Sequence, residues 1–180
     1  MKSRQRIVIV PIGELDFFQI NKLAAKLSET FTSAVDIIQG TEPAAEAYHP
    51  GRLQYFSTVL LSKLERLRAN NREKILGIID EDLYIPTKPF VYYESDPYAG
   101  CALLSCYRIK QEFYGLPEDD KLVYERVKKE AINQIGRLFL SRYCPNPRCV
   151  MYRSTDMSDT DFKNDAFCDG CRRDLVRKPV

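Results

Sequence analysis

Histidine is all but missing from this chain: His49 is the only one in 180 residues. A site built on two or three imidazoles is therefore excluded. The segment around it, Thr41 to Gly51, carries two prolines and reads as a loop, where a lone histidine is expected to be solvated. Charge of one sign is scarce as well. Lys and Arg number 27 against 25 Asp and Glu, and the formal net charge of +2 does not by itself argue for a nucleic-acid or anionic-membrane partner. Long apolar runs are absent. Ile7 to Ile12 contains Pro11 and is too short for a signal-peptide core, and no segment approaches the roughly 20 apolar residues that span a bilayer. Internal repeats and low-complexity segments are missing too. With 44% hydrophobic and 29% charged residues, the composition is that of an ordinary soluble globular protein. A cytoplasmic protein without a membrane partner is the expectation.

Cysteine, by contrast, is patterned. Cys144-Pro-Asn-Pro-Arg-Cys149 is answered by Cys168-Asp-Gly-Cys171, a C-x4-C-x18-C-x2-C spacing. Two short knuckles with turn-forming proline and glycine can present four thiolates to one tetrahedral Zn²⁺. Two disulfides, or a redox pair at Cys168 and Cys171, are the competing readings. A cytoplasmic setting disfavours the first, and the lack of a preceding thioredoxin-like strand disfavours the second. Four Cys ligands leave no open coordination position, so such a zinc would hold structure and activate no water. Cys101 and Cys106, five apart in an extended run, point to opposite faces and read as buried free thiols.

Along the chain, Ile7 to Ile12 reads as a buried parallel strand, Glu14 to Phe31 as an amphipathic helix and Ala34 to Ile38 as a second strand. Strand, helix and strand in that order imply a right-handed crossover and a parallel pair. Leu53 to Leu67 carries a second helical stripe that includes Leu53, Phe56, Leu60 and Leu64. Lys74 to Ile79 reads as a further strand that runs into an acidic turn at Asp80-Glu81-Asp82 and then Leu83 to Ile85, and Phe90 to Tyr93 and Ala102 to Ile109 read as two more. Glu118 to Tyr143 is the longest helical pattern, with Val123, Val127, Ala131, Ile135 and Leu138 facing a core. Beyond the first knuckle come an 18-residue polar loop and a short helix from about Cys171. The predicted fold class is α/β, a mixed sandwich with a twisted sheet, packed helices and a zinc-tied C-terminal piece. Its expected division is residues 1–143 as the α/β part and residues 144–180 as the four-cysteine zinc subdomain, together one compact unit.

Cys149-Val-Met151, the Cys spacing, Ser158-Asp-Thr-Asp161, Phe167-Cys-Asp-Gly-Cys171 and the stretch GIIDEDLYIP from Gly77 to Pro86 resemble the archaemetzincins, a branch of the metzincin zinc peptidases. The likeness runs from about Tyr55 to the C-terminus, and it implies a metzincin-like, mostly parallel sheet. It also implies a catalytic H-E-x-x-H-x-x-G-x-x-H run immediately before the first Cys, in which three His bind zinc and the Glu is general base. This chain instead reads Asn133-Gln134-Ile-Gly-Arg137-Leu-Phe-Leu140-Ser-Arg-Tyr143. Asn133, Arg137 and Tyr143 stand where the resemblance puts His, Gln134 where it puts the base, and Leu140 where it puts the turn glycine. An amide oxygen is a poor zinc ligand, a guanidinium cannot shed its proton to bind metal, and Gln cannot take a proton from water. Either the helix runs on to about Tyr143 or the turn at Leu140 is reshaped, because leucine is strained at φ > 0. Met151 matches the family's Met-turn and reads here as a core thioether.

The resemblance therefore implies a non-catalytic relative, with one structural Zn²⁺ on Cys144, Cys149, Cys168 and Cys171 and no catalytic zinc. The vacated cleft would be lined by Asn133, Arg137, Tyr143 and Met151 and could take a peptide or protein. Helical spacing alone would make Glu130, Asn133 and Arg137 a solvated polar face. In the cleft reading, Arg137 becomes a built-in cation paired with a carboxylate or with the Tyr143 hydroxyl. The alternative is a zinc metallopeptidase of atypical or weak activity. A nucleic-acid module using Arg172, Arg173, Arg177 and Lys178 is disfavoured, because Asp169 and Asp174 offset that charge. Elemental analysis with thiol titration should find one zinc per chain and two titratable thiols; a second bound metal would contradict the non-catalytic reading.

Overall fold

Alternation along three apolar runs builds the two faces of the main sheet. The computed structural model describes residues 5–177. Strand β1 (Arg6–Ile12) turns Ile7 and Ile9 to one face, and Val8, Val10 and Ile12 to the other. β5 (Glu73–Ile79) and β9 (Cys101–Ser105) divide their side chains in the same way. With β2 (Ala34–Ile37) and β8 (Tyr93–Asp96) they form a five-stranded sheet in the order β2-β1-β5-β9-β8. All pairs are parallel except β8 on β9, which is antiparallel. Burial on both faces is why these strands read as nearly unbroken apolar runs.

Helices α1 (Phe17–Phe31) and α3 (Asp120–Leu140) cover the face of Ile7 and Ile9, and α2 (Ser57–Arg66) covers the opposite one. α1 starts three residues later than its pattern suggested. Asp16 caps it, accepting from the N–H of Phe18 at 2.8 Å, and leaves Phe17 exposed rather than in the core. α2 is likewise shorter than its apolar stripe. Leu53 lies outside it, 72% exposed with φ 54°, and Gln54–Phe56 form strand β4. Gly77 in β5 lets α2 lie close: a Cβ there would sit 2.5 Å from Leu64 Cδ1 and 3.1 Å from Leu103 Cδ1.

A second sheet, which the sequence did not reveal, runs β3 (Tyr48–His49), β4, β6 (Leu83–Ile85) and β7 (Lys88–Val91). The single strand expected over Phe90 to Tyr93 is split at Tyr92. β7 belongs to this second sheet, whereas β8 turns away to edge the main one. The supposed polar loop after the first Cys knuckle holds helix α4 (Met157–Phe162), and α5 (Asp169–Arg177) follows. Cys149, Met151, Phe167, Cys171 and Leu175 share one hydrophobic core with Ile9, Leu27 and Ile135. No helix among the described residues is long and apolar enough to cross a membrane.

Gly77→Ala should lower stability by about 1–3 kcal/mol, the usual cost of overpacking a filled core, as read from urea unfolding.

Candidate cleft and metal centre

Helix α3 ends at Leu140, not at Tyr143. Leu140 keeps helical geometry inside the core, and Ser141 takes the left-handed turn instead, with φ 58° and its N–H on the Arg137 carbonyl at 2.8 Å. The turn is thus displaced by one residue, which spares the buried leucine a positive φ. It carries Tyr143 back across the helix end, where its ring lies 4.4 Å from the Arg137 guanidinium carbon.

The polar row on α3 is not a solvated face. Glu130, Asn133 and Gln134 are wholly buried, and each is tied to the segment that follows the helix or to its neighbour on it. Asn133 Nδ2 donates to the carbonyls of Val150 (2.6 Å) and Tyr152 (2.8 Å). Gln134 Nε2 donates to Asn133 Oδ1 at 3.0 Å. Glu130 Oε1 accepts from Ser154 Oγ, Thr160 Oγ1 and Lys163 Nζ at 2.7–2.9 Å, and Lys163 also reaches the Tyr152 carbonyl at 3.2 Å. Lys163 is itself fully buried, and burial lowers its pKa against the opposing pull of Glu130. Met151, also buried, presses on α3 at Gly136, where a Cβ would collide with its sulfur. Asn133 and Met151 are therefore core residues that shape the cleft from behind and do not line it.

Arg137 and Tyr143 do line it. The cleft holds about 440 Å³ between β7, β8 and the segment after the first knuckle, with Arg153, Ser154 and Glu94 as further walls. Arg137 Nε donates to Ser95 Oγ at 3.0 Å, and its guanidinium has no carboxylate partner among the described residues. The expected partner, a carboxylate or the Tyr143 hydroxyl, is thus replaced by the tyrosine ring and a serine. Arg153 lies on the same ring at 5.4 Å, so two cations share one aromatic. Glu94, the acidic residue of the cleft, is held by the hydroxyls of Ser57 and Thr58. β8 borders the cleft as an edge strand paired on one side only. Tyr93 fastens it by donating its hydroxyl to the Ser154 carbonyl at 3.0 Å, and burial raises that phenol's pKa.

The four C-terminal cysteines converge. Cys144, Cys149, Cys168 and Cys171 place their sulfurs within 4.8 Å of one another, unbridged, with Cys144 and Cys168 3.8 Å apart. Four thiolates at a Zn–S bond of about 2.3 Å stand about 3.8 Å apart, so the donor set suits tetrahedral zinc. The N–H groups of Met151 (3.4 Å) and Cys168 (3.3 Å) point at Cys149 Sγ, as suits a sulfur carrying negative charge. The backbone N–H of Cys171 helps hold Cys168 down to about 7, whereas burial pushes Cys171 up. Cys101 and Cys106 lie buried on opposite faces of the sheet, and burial raises their thiols to about 11 and about 12. Asp82 forms a two-pronged pair with Arg108 (2.6 and 2.7 Å), and Asp80 pairs with Lys110. His49 is exposed, its ring edge-on to Tyr84. On α5, Arg172, Arg173 and Arg177 are exposed and Asp174 pairs with Arg142; Lys178 lies outside the described residues.

Comparison with known proteins agrees with this architecture. Residues 29–177 match the sequence profile of Peptidase family M54. The chain belongs to that family. An archaemetzincin of Pyrococcus furiosus is 35% identical over 97% of this chain and 94% of its own length, and one of Methanocaldococcus jannaschii is 32% identical over 97% and 95%. Among solved structures, a zinc-dependent peptidase of Methanocorpusculum labreanum superposes with TM-score 0.84 at 28% identity, covering 94% of this chain and 99% of that one. An archaemetzincin of Archaeoglobus fulgidus, complexed with malonate, gives 0.79 at 29% identity with the same coverage. In this M54 chain, sequence reasoning missed Arg153, Ser154, Thr160 and Lys163, which carry no periodic signal and matter only through what they meet on α3. Lys163→Met should cost about 3–5 kcal/mol in urea unfolding, since it strands a buried carboxylate.

Proposed function

We propose that this protein is a non-catalytic member of the archaemetzincin family, a zinc-stapled module that holds an extended peptide by its C-terminal carboxylate. The observation that carries the reading is the state of Asn133, Arg137 and Tyr143. The Asn133 amide is spent on two backbone carbonyls, and Arg137 stacks on Tyr143. Asn133 is sealed in the core with its oxygen accepting from Gln134, a guanidinium has no lone pair for a metal ion, and the one phenol oxygen of Tyr143 is too few donors for a metal site; Gln134, buried away from the cleft, cannot serve as a base. What remains is a cationic cleft along a half-paired strand. A peptide can add to the free edge of β8 through main-chain hydrogen bonds, while Arg137 and Arg153 receive its terminal carboxylate. The zinc of this module would sit on Cys144, Cys149, Cys168 and Cys171, where it supplies structure to the cleft wall and takes no part in hydrolysis.

A fluorescent peptide ending in a free carboxylate should bind in an anisotropy titration about tenfold more tightly than its C-terminal amide, the margin of one charge-assisted hydrogen bond. Arg137→Ala with Arg153→Ala should abolish that preference. Chelator-sensitive cleavage of a peptide library by the purified protein would overturn the reading in favour of an atypical metallopeptidase.

A further inference from the structure

A second cavity lies on the helix side of the sheet, away from β8. It holds about 240 Å³ over the carboxyl ends of β1, β5 and β9. Its position follows from the topology. After β1 the chain passes to α1 on the face of Ile7 and Ile9, whereas after β5 it passes to Leu83, which packs on the opposite face. Neighbouring parallel strands whose chains leave in opposite directions open a crevice at their carboxyl ends, the place where open α/β sheets bind ligands.

Its walls are apolar, with Ile20 and Leu23 from α1, Ile78 from β5, and Val123 and Val127 from α3. Two polar atoms interrupt them. Asp80 Oδ1 and Gln19 Oε1 are buried, belong to residues that line the cavity, and lack a hydrogen-bond donor. Orphaned buried acceptors are costly and call for a donor from whatever fills the space. Charge around the mouth points the same way. Glu14, Asp16 and Asp120 stand exposed on the lining, and the only cation there among the described residues, Lys110, is already paired with the other oxygen of Asp80. An anion is disfavoured even though two helices start here. A carboxylate already caps each of them, Asp16 accepting from Phe18 N and Asp119 from Leu122 N. The Cys106 thiol in the wall, pushed up to about 12, is no nucleophile, so binding would be non-covalent.

We propose that this cavity binds a small organic ammonium ion, an amine carried on an aliphatic body. The ammonium donates to Asp80 Oδ1 and Gln19 Oε1, the acidic mouth draws it in, and the aliphatic part fills the space between α1 and α3. The site is independent of the peptide cleft.

The test uses n-hexylammonium on the full-length, zinc-loaded protein, followed by amide chemical shifts, with n-hexanol and hexanoate as probes of equal shape. Saturable shifts at Asp80, Cys106 and Val127 are expected. Hexylammonium should bind about tenfold more tightly than hexanol, a difference of one partly buried charge contact, and hexanoate should be weakest. Val123→Trp should close the mouth and remove the response, and Gln19→Leu, a milder change, should weaken the amine more than hexanol. Hexanol or hexanoate binding as well as the amine would overturn the charge assignment. Amine binding that is absent, or undiminished in Gln19→Leu, would overturn the site.

Discussion

A buried row of polar side chains on one helix has to be satisfied by something other than water, and much of this molecule is arranged around that requirement. Glu130 and Asn133 lie one turn apart on α3 with no solvent to hydrate them. Glu130 gathers Ser154, Thr160 and Lys163 onto one oxygen, and Asn133 binds the carbonyls of Val150 and Tyr152. Each partner comes from the segment after the helix, so satisfying the row folds that segment back along α3. Arg126 extends the seam with a two-pronged pair to Asp161, and Lys129 with bonds to the carbonyls of Thr160 and Asp161. The low dielectric strengthens each bond of this network and leaves two of its oxygens, Glu130 Oε2 and Gln134 Oε1, buried without a donor.

Both the cleft and the cysteine cluster depend on this seam. With Val150 to Ser154 fixed against α3, Met151 is driven into the space left by Gly136, and Arg153 and Ser154 become the wall facing β8. Tyr93 closes the far side through the Ser154 carbonyl. The same backbone presents Cys149 and, through the pairing of Cys144 with Tyr152, brings the first knuckle opposite the second. A metal ion on the four sulfurs and the Glu130–Lys163 pair would then brace one short segment from two ends. The cleft owes its charge to Lys88, Arg137 and Arg153.

Much of the fold was legible from residues alone. The runs at β1 and β5, the α1 and α3 stripes and the paired Cys knuckles are local patterns, and periodicity reads local patterns well. The second sheet was not legible, because β3, β4 and β6 span two or three residues each and draw their meaning from distant partners. Leu53 was misplaced because its apolar side chain fits the α2 stripe, whereas the backbone bends at that residue to begin β4. Glu130 and Asn133 looked like a wet face for a similar reason: helical spacing groups residues but cannot tell which side of a helix later chain will cover.

What the sequence determined by itself was chemistry: a donor set of four cysteines, a chain with one histidine, and Asn133, Gln134, Arg137 and Tyr143 where the family resemblance implies three zinc ligands and a base. Those properties belong to the residues wherever the fold puts them. Only the tertiary structure decided which of the four meet solvent. Asn133 and Gln134 are sealed in the core while Arg137 and Tyr143 border the cleft, because the chain turns at Ser141 and is drawn back over one face of α3 by Glu130, Ser154, Thr160 and Lys163. That choice rests on contacts between residues 17 to 33 positions apart, and no local pattern encodes them.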